Sequence, residues 1–252
     1  MAEAFSQGNK LYVAGRDFSS NWTALELQIG REMLDWTKGS DTTRVAKMGL
    51  LTAAMEVEGV TDFDTDVVDD ELFAANDLTS SPIIIIGHPG STSGESGQPG
   101  YAMRADVAQY NPFNASEVGQ RVNFGISARA NRSRIVRGTF MHDGDTARTA
   151  TGNGTAYQLG AVSATQKLYA AIMCLSCSAA DTLDVVIASD NAEGFPSGTT
   201  RATFAQITAT AATEWVEVAG PFTDDWWRVQ YTLGGASISI RFVVLLAISN
   251  AP

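Results

Sequence analysis

Residues 11–61 read LYVAGRDFSSNWTALELQIGREMLDWTKGSDTTRVAKMGLLTAAMEVEGVT, and this stretch decides the fold. A short apolar run, Leu11 to Ala14, enters a Gly15-Arg16-Asp17 turn. An alternating stretch with Leu25, Leu27 and Ile29 follows, and a strand closes on Leu34-Asp35-Trp36-Thr37. Residues 38–49 are rich in Lys, Gly, Ser, Asp and Thr, and a strand then runs from Leu50 to Gly59. Apolar residues at alternate positions, separated by polar ones, mark half-buried antiparallel strands. A polar loop this long between two strands is uncommon in a compact domain and points to function or assembly.

At 252 residues the chain has material for two domains. Its 44% apolar and 18% charged residues describe a globular protein. No apolar run approaches the roughly 20 residues of a membrane helix. Residues 240–248, IRFVVLLAI, read as a buried strand, so no membrane partner is expected. The start, MAEAFSQGNK, has neither the basic nor the apolar segment of a signal peptide. Folding in a cytoplasm is therefore expected. A net charge of −11 argues against a protein that grips nucleic-acid backbone, which needs Lys and Arg. It suits a surface that nucleic acid slides past.

Chemistry-bearing motifs are few. Cys174 and Cys177 form a C-x-x-C with no second cysteine pair, and the chain has only two histidines, His88 and His142. A zinc site needs four ligands. Strand positions three apart point to opposite faces, so the pair reads as two small thiols in or near the core. Asp62, Asp64 and Asp66 alternate like the start of a calcium loop, but the glycine and late glutamate of that motif are missing. The Gly/Ser/Pro-rich residues 87–100 lack the Gly-Lys-Ser/Thr ending of a phosphate loop and read as a surface loop. No catalytic set, metal or cofactor is expected, and the protein is not expected to be an enzyme.

Val67 to Ala75 fits a short helix entered through Asp64 or Thr65. It lies in an acidic segment, 59–80, without Lys or Arg. Residues 121–130 and 134–141 read as a hairpin turned at 130–133. That hairpin carries Arg121, Arg129, Arg132, Arg134 and Arg137. Opposite patches of this kind either neutralise each other within one chain or fix register between subunits, and on the second reading Arg129, Arg132, Arg134 and Arg137 are inter-subunit candidates. Residues 143–155 read as a polar linker. Beyond it, strands are expected at 156–162, 166–177, 182–189, 200–208, 213–219, 226–233 and 237–248, forming a β-sandwich.

The order strand, Gly15-x-Asp17-x-Ser19, strand, Leu34-Asp35-x-Thr37, loop with Gly39, Asp41 and Arg44, Gly49-Leu50, strand to Gly59 resembles the tail tube proteins of long-tailed, non-contractile bacteriophages. The resemblance covers residues 9–141. It implies an all-β fold with one short helix: a tail-tube β-sandwich/barrel domain at 1–142, the linker at 143–155 and an immunoglobulin-like β-sandwich at 156–252. It further implies a structural virion protein that polymerises with itself as stacked, hexameric rings and meets other tail proteins. The resemblance also implies that DNA passes through without specific binding and that the location is the phage tail, assembled in the host cytoplasm.

On that resemblance Glu26, Glu56 and Glu58 are channel-lining candidates, with Met55 and Val57 turned to the core. Lys38, Ser40, Asp41, Arg44 and Lys47 are candidates for contacts between stacked rings. The alternative class is a carbohydrate-binding or host-surface-binding sandwich of a phage particle, in which Trp215, Trp226 or Trp227 stacks on sugar rings.

Overall fold

The computed structural model describes residues 9–64, 68–76, 82–87, 96–114, 118–131 and 134–250. Among them the chain is all-β with one short helix. The first strands are β1 (Lys10–Val13), β2 (Arg16–Asp17), β3 (Trp22–Asp35) and β4 (Ala46–Val60). Helix α1 (Val68–Asn76) precedes β5 (Ile83–Gly87), β6 (Pro99–Asn111), β7 (Asn123–Ala130) and β8 (Val136–His142). Then come β9 (Gly152–Asn153), β10 (Tyr157–Gln158), β11 (Gln166–Ser176), β12 (Thr182–Asp190) and β13 (Thr199–Thr203). The last are β14 (Thr213–Ala219), β15 (Trp226–Gly234) and β16 (Arg241–Asn250). Each strand expected beyond residue 155 has a counterpart. Thr65 and Asp66 before the helix, His88, and residues 88–95 of the Gly/Ser/Pro-rich segment lie outside the described residues.

Contacts divide the chain into two units, along other lines than a break at 143–155. One comprises Met1–Ser20, Ile83–Met103 and Val136–Pro252; the other comprises Asn21–Pro82 and Arg104–Ile135.

In the first unit, β1 and β2 form a hairpin over Ala14 (φ 52) and Gly15 (φ 84). Two successive positive φ values make the two-residue turn whose twist matches an antiparallel pair. One sheet has the order β14-β11-β16-β8-β6-β5-β1-β2, and a second has β10-β15-β12-β13 with β9 on β15. Leu168, Ala170 and Ile172 of β11 share a core with Leu183, Val185 and Ile187 of β12 and with Trp227 and Val229 of β15. The alternate residues of β11, Tyr169, Ala171 and Met173, enter another core with Tyr12, Ile83, Ile85 and Phe140. Strands β11 and β16 are thus buried on both faces, which is why both read as unbroken apolar runs.

The stretch 143–155 is built into this unit. Arg148 exchanges backbone hydrogen bonds with Ile240 (N–O 2.8 and 3.0 Å), and Gly152 and Asn153 pair with β15. A Cβ added at Gly144 would lie 2.6 Å from Leu175 Cδ1 and 3.0 Å from the Tyr12 hydroxyl. Its small side chains serve close backbone approach.

In the second unit β3 pairs with β4, β4 with β7, and β7 with the later half of β6. Strands β7 and β8 do not form the expected hairpin. Both pair with β6, β8 along Pro99 to Ala102 and β7 along Ala105 to Asn111. Both stretches satisfied the alternation rule, which says nothing of the partner. Helix α1 carries Asp69, Asp70 and Glu71 in its first turn, complementing the helix dipole. The Tyr110 hydroxyl on β6 donates to Asp69 Oδ1 at 2.6 Å, and burial, then this carboxylate, raise the phenol pKa.

Candidate assembly surface

The pleat of β3-β4-β7-β6 separates two chemistries. Along β4, Met55, Val57 and Gly59 are buried while Glu56 and Glu58 are exposed. Register carries the division across the sheet. Glu26 stands opposite Glu56, which stands opposite Ser127; Glu58 stands opposite Ala24 and Gly125. Arg129 faces Ala54 on one side and Asp106 on the other. Directly paired residues share a face. One face therefore bears the carboxylates of Glu26, Glu56, Glu58 and Asp106 together with the guanidinium of Arg129. Gln28 Nε2 donates to Glu26 Oε1 at 2.8 Å, and Asn114 Nδ2 donates to Glu58 Oε1 at 3.2 Å. The opposite face buries Met55, Val57, Phe124, Ile126 and Ala128.

A hollow of about 230 Å³ opens on the polar face beside Glu56, Glu58, Gln109 and Asn111. Ligand cavities run to roughly 300–1,000 Å³ and are mostly apolar, so this hollow is not shaped for a small molecule.

The β3–β4 hairpin is long, and much of its far half is uncovered. Leu50 is 85% and Met48 71% exposed, and Ile29, Met33, Leu34, Trp36 and Val45 are exposed as well. Among the described residues β3 pairs only with β4, leaving its other edge without a strand partner.

Of the candidates for ring stacking, Lys38, Ser40, Asp41 and Arg44 lie in the connection after β3, whereas Lys47 lies on β4 opposite Leu34. The connection is knitted locally. Lys38 N donates to Asp41 Oδ2 (2.7 Å), Trp36 N to Val45 O (2.8 Å) and Arg44 Nε to Asp35 Oδ2 (3.1 Å). Hydrogen bonds from Thr37, hydroxyl before backbone N–H, and then from Arg44 hold the Asp35 carboxyl below its usual range. Lys47 Nζ sits 4.2 Å over the Trp36 ring.

The arginine candidates do not form one hairpin patch. Arg129 is exposed on the acidic face of β7, Arg134 is half-buried before β8, and Arg137 is exposed on β8 opposite Tyr101. Arg132 lies outside the described residues.

Elsewhere the candidate chemistry is absorbed by packing. Cys174 and Cys177 are both buried free thiols of one core, not residues on opposite faces. A register shift at Cys174/Ser176 and the end of β11 at Ser176 break the alternation that the spacing implied. Burial pushes the Cys174 thiol up to about 12, away from the reactive thiolate. Trp227 is fully buried, with Nε1 donating to Gly160 O at 2.9 Å, whereas Trp226 and Trp215 are half-buried. His142 is buried against Phe242, ring centroids 3.9 Å apart.

No protein family and no curated protein match the chain. Among solved structures it is similar to a chain in the virion of a native gene transfer agent particle (TM-score 0.38, 12% identity, 53% of this chain and 98% of that one). It is also similar to a chain of the sheath–tube complex of an extracellular contractile injection system (TM-score 0.41, 10% identity, 54% and 92%). A third similarity, spanning nearly the whole chain, is to the SPP1 Dit protein, a hub adsorption apparatus component of phages infecting Gram-positive hosts (TM-score 0.38, 8% identity, 96% and 99%). All three similarities are remote.

Proposed function

We propose that this protein is a structural virion subunit that assembles with copies of itself into rings, stacked as the tube of a phage tail. The polar face of β3-β4-β7-β6 lines a channel through which DNA passes. The observation that carries the reading is the β3–β4 hairpin, a 14-residue strand with an open edge beside exposed Met33, Met48 and Leu50. An open edge of that length invites pairing with another chain, and closing strands into a barrel removes it. Covering one large apolar side chain contributes about 1.5–3 kcal/mol, whereas an exposed ion pair contributes about 0–1 kcal/mol. Apolar edge contacts therefore drive ring closure, and charge sets its register.

The acidic face supports the channel. A ring repeats Glu26, Glu56 and Glu58 at every subunit, so a modest charge per chain becomes a negative band that repels phosphates. The ordered set from Gly15 to Gly59 that resembles tail tube proteins supports the same reading. No cofactor or catalytic step enters it; other tail proteins are the further partners, and the site of action is the virion. The reading is tested by negative-stain electron microscopy of the purified chain over a range of concentration and salt. Rings or tubes are expected; a monomer under all conditions overturns it.

A further inference from the structure

The second unit ends in two surfaces of opposite character. At the turn of the β3–β4 hairpin, Trp36 is 51% exposed with Lys47 over its ring, and Lys38 and Arg44 are exposed beside it. The neighbouring carboxylates are engaged within the turn, Asp35 by Thr37 and Arg44 and Asp41 by the Lys38 backbone. At the opposite end of β4, Thr61 is tied down by N–H donation to Val122 O (2.9 Å) and hydroxyl donation to Pro112 O (3.1 Å). Just beyond, Phe63 stacks on Phe113, centroids 5.4 Å apart and planes at 28°, with the rings 50% and 63% exposed. Asp62 and Asp64 flank that stack; the nearest cation along the anchoring segment is the exposed Arg121, one residue before Val122.

A stacked aromatic pair held on anchored loops with both rings in solvent is unlike a scattered surface phenylalanine, and it resembles half of an interface. The complementary half is on the same chain: an exposed tryptophan with Lys47 over its ring, on a turn that also carries Lys38 and an Arg44 bound to Asp35. The 15 residues of β4 separate the two by about 50 Å at roughly 3.3 Å per residue, so one copy cannot bring its own ends together. We propose that they meet between copies. Trp36 of one chain seats against the Phe63–Phe113 stack of the next, with Lys38, Arg44 and Lys47 facing Asp62 and Asp64. Such a contact is heterologous and head-to-tail, and repetition gives an open stack of fixed polarity. It rests on the self-assembly reading and adds the surface that stacks one ring on another.

The test uses the full-length chain, sedimentation velocity and negative-stain microscopy. Phe63→Ala/Phe113→Ala and Asp62→Lys/Asp64→Lys are each expected to retain rings and the wild-type melting profile. Each is expected to raise the critical concentration for tubes about tenfold or more, since aromatic anchors carry much of the binding at such interfaces and like charges brought together oppose it. Lys38→Glu/Arg44→Glu is expected to do the same, and combining it with Asp62→Lys/Asp64→Lys in one chain is expected to restore tubes. Wild-type tubes from all three double variants overturn this contact and leave the tube reading standing. A wild-type chain that never leaves the monomer overturns both.

Discussion

Glu26 and Glu56 stand directly opposite each other across β3 and β4, both exposed on the same face. Like charges placed opposite on antiparallel strands disfavour the pairing, so the pair is retained against the stability of the isolated subunit. Glu56→Gln is expected to raise Tm slightly, by about 1–3 °C. Assembled Glu56→Lys/Glu58→Lys rings are expected to bind a DNA duplex in a salt-sensitive manner where wild-type rings do not, read by fluorescence anisotropy at rising salt. Absence of DNA binding by the variant rings counts against the channel assignment.

Met48 and Leu50 are so exposed in the single chain that replacing both with Ser should leave its melting temperature nearly unchanged. Ring formation should fail in the same variant, because Met48 and Leu50 lie on the half of β4 that β7 does not reach, which closure against another copy would cover. Sedimentation velocity separates the outcomes. Unimpaired rings show that the hairpin edge is not the closing surface.

A buried histidine sets a pH response. His142 Nε2 accepts from Arg148 Nε at 2.9 Å while Nδ1 donates to Phe242 O at 2.9 Å, an arrangement that requires neutral imidazole. Burial first, and then Arg148, lower its pKa from 6.5 to about 4. Between these values the unfolded chain binds the proton and the folded chain does not, so stability falls as pH falls through that window. The full loss attributable to this group is about 3 kcal/mol, taken at about 1.4 kcal/mol per decade. Urea unfolding at pH 7 and pH 4 measures it, and the pH dependence of His142→Gln should be smaller by that amount.

Cutting the chain after Gly152 should destroy the first unit. The fragment retains Tyr12, Ile85 and Phe140 but loses Tyr169, Met173, Val243 and Leu245, which complete their core. Losing even one large core side chain costs about 2–5 kcal/mol, and here half a core goes. Circular dichroism and limited proteolysis of the fragment should show loss of protection over 9–20, 83–87 and 99–103. A folded fragment would place the boundary in the linker-like stretch after all.

Much of this protein is legible along the chain, because alternation is a local property. The burial of Met55 and Val57 against the exposure of Glu56 and Glu58 and the presence of strands after 155 follow from residues two positions apart meeting opposite environments, whereas the loop expected over 38–49 gives up its last four residues to β4. Partner choice is not local. That β7 and β8 both pair with β6, that β11 carries a second core on the face turned toward Tyr12, and that Gly144 accommodates Leu175 depend on residues far apart in sequence. The same holds for Cys174 and Cys177, where a register shift overrides the spacing. The sequence by itself determined which faces are polar and in which stretches strands form, though not their ends: β4 starts at Ala46 and β13 stops at Thr203. Only the tertiary structure decided which edges remain open, because pairing between distant strands depends on the whole set of strands competing for each edge.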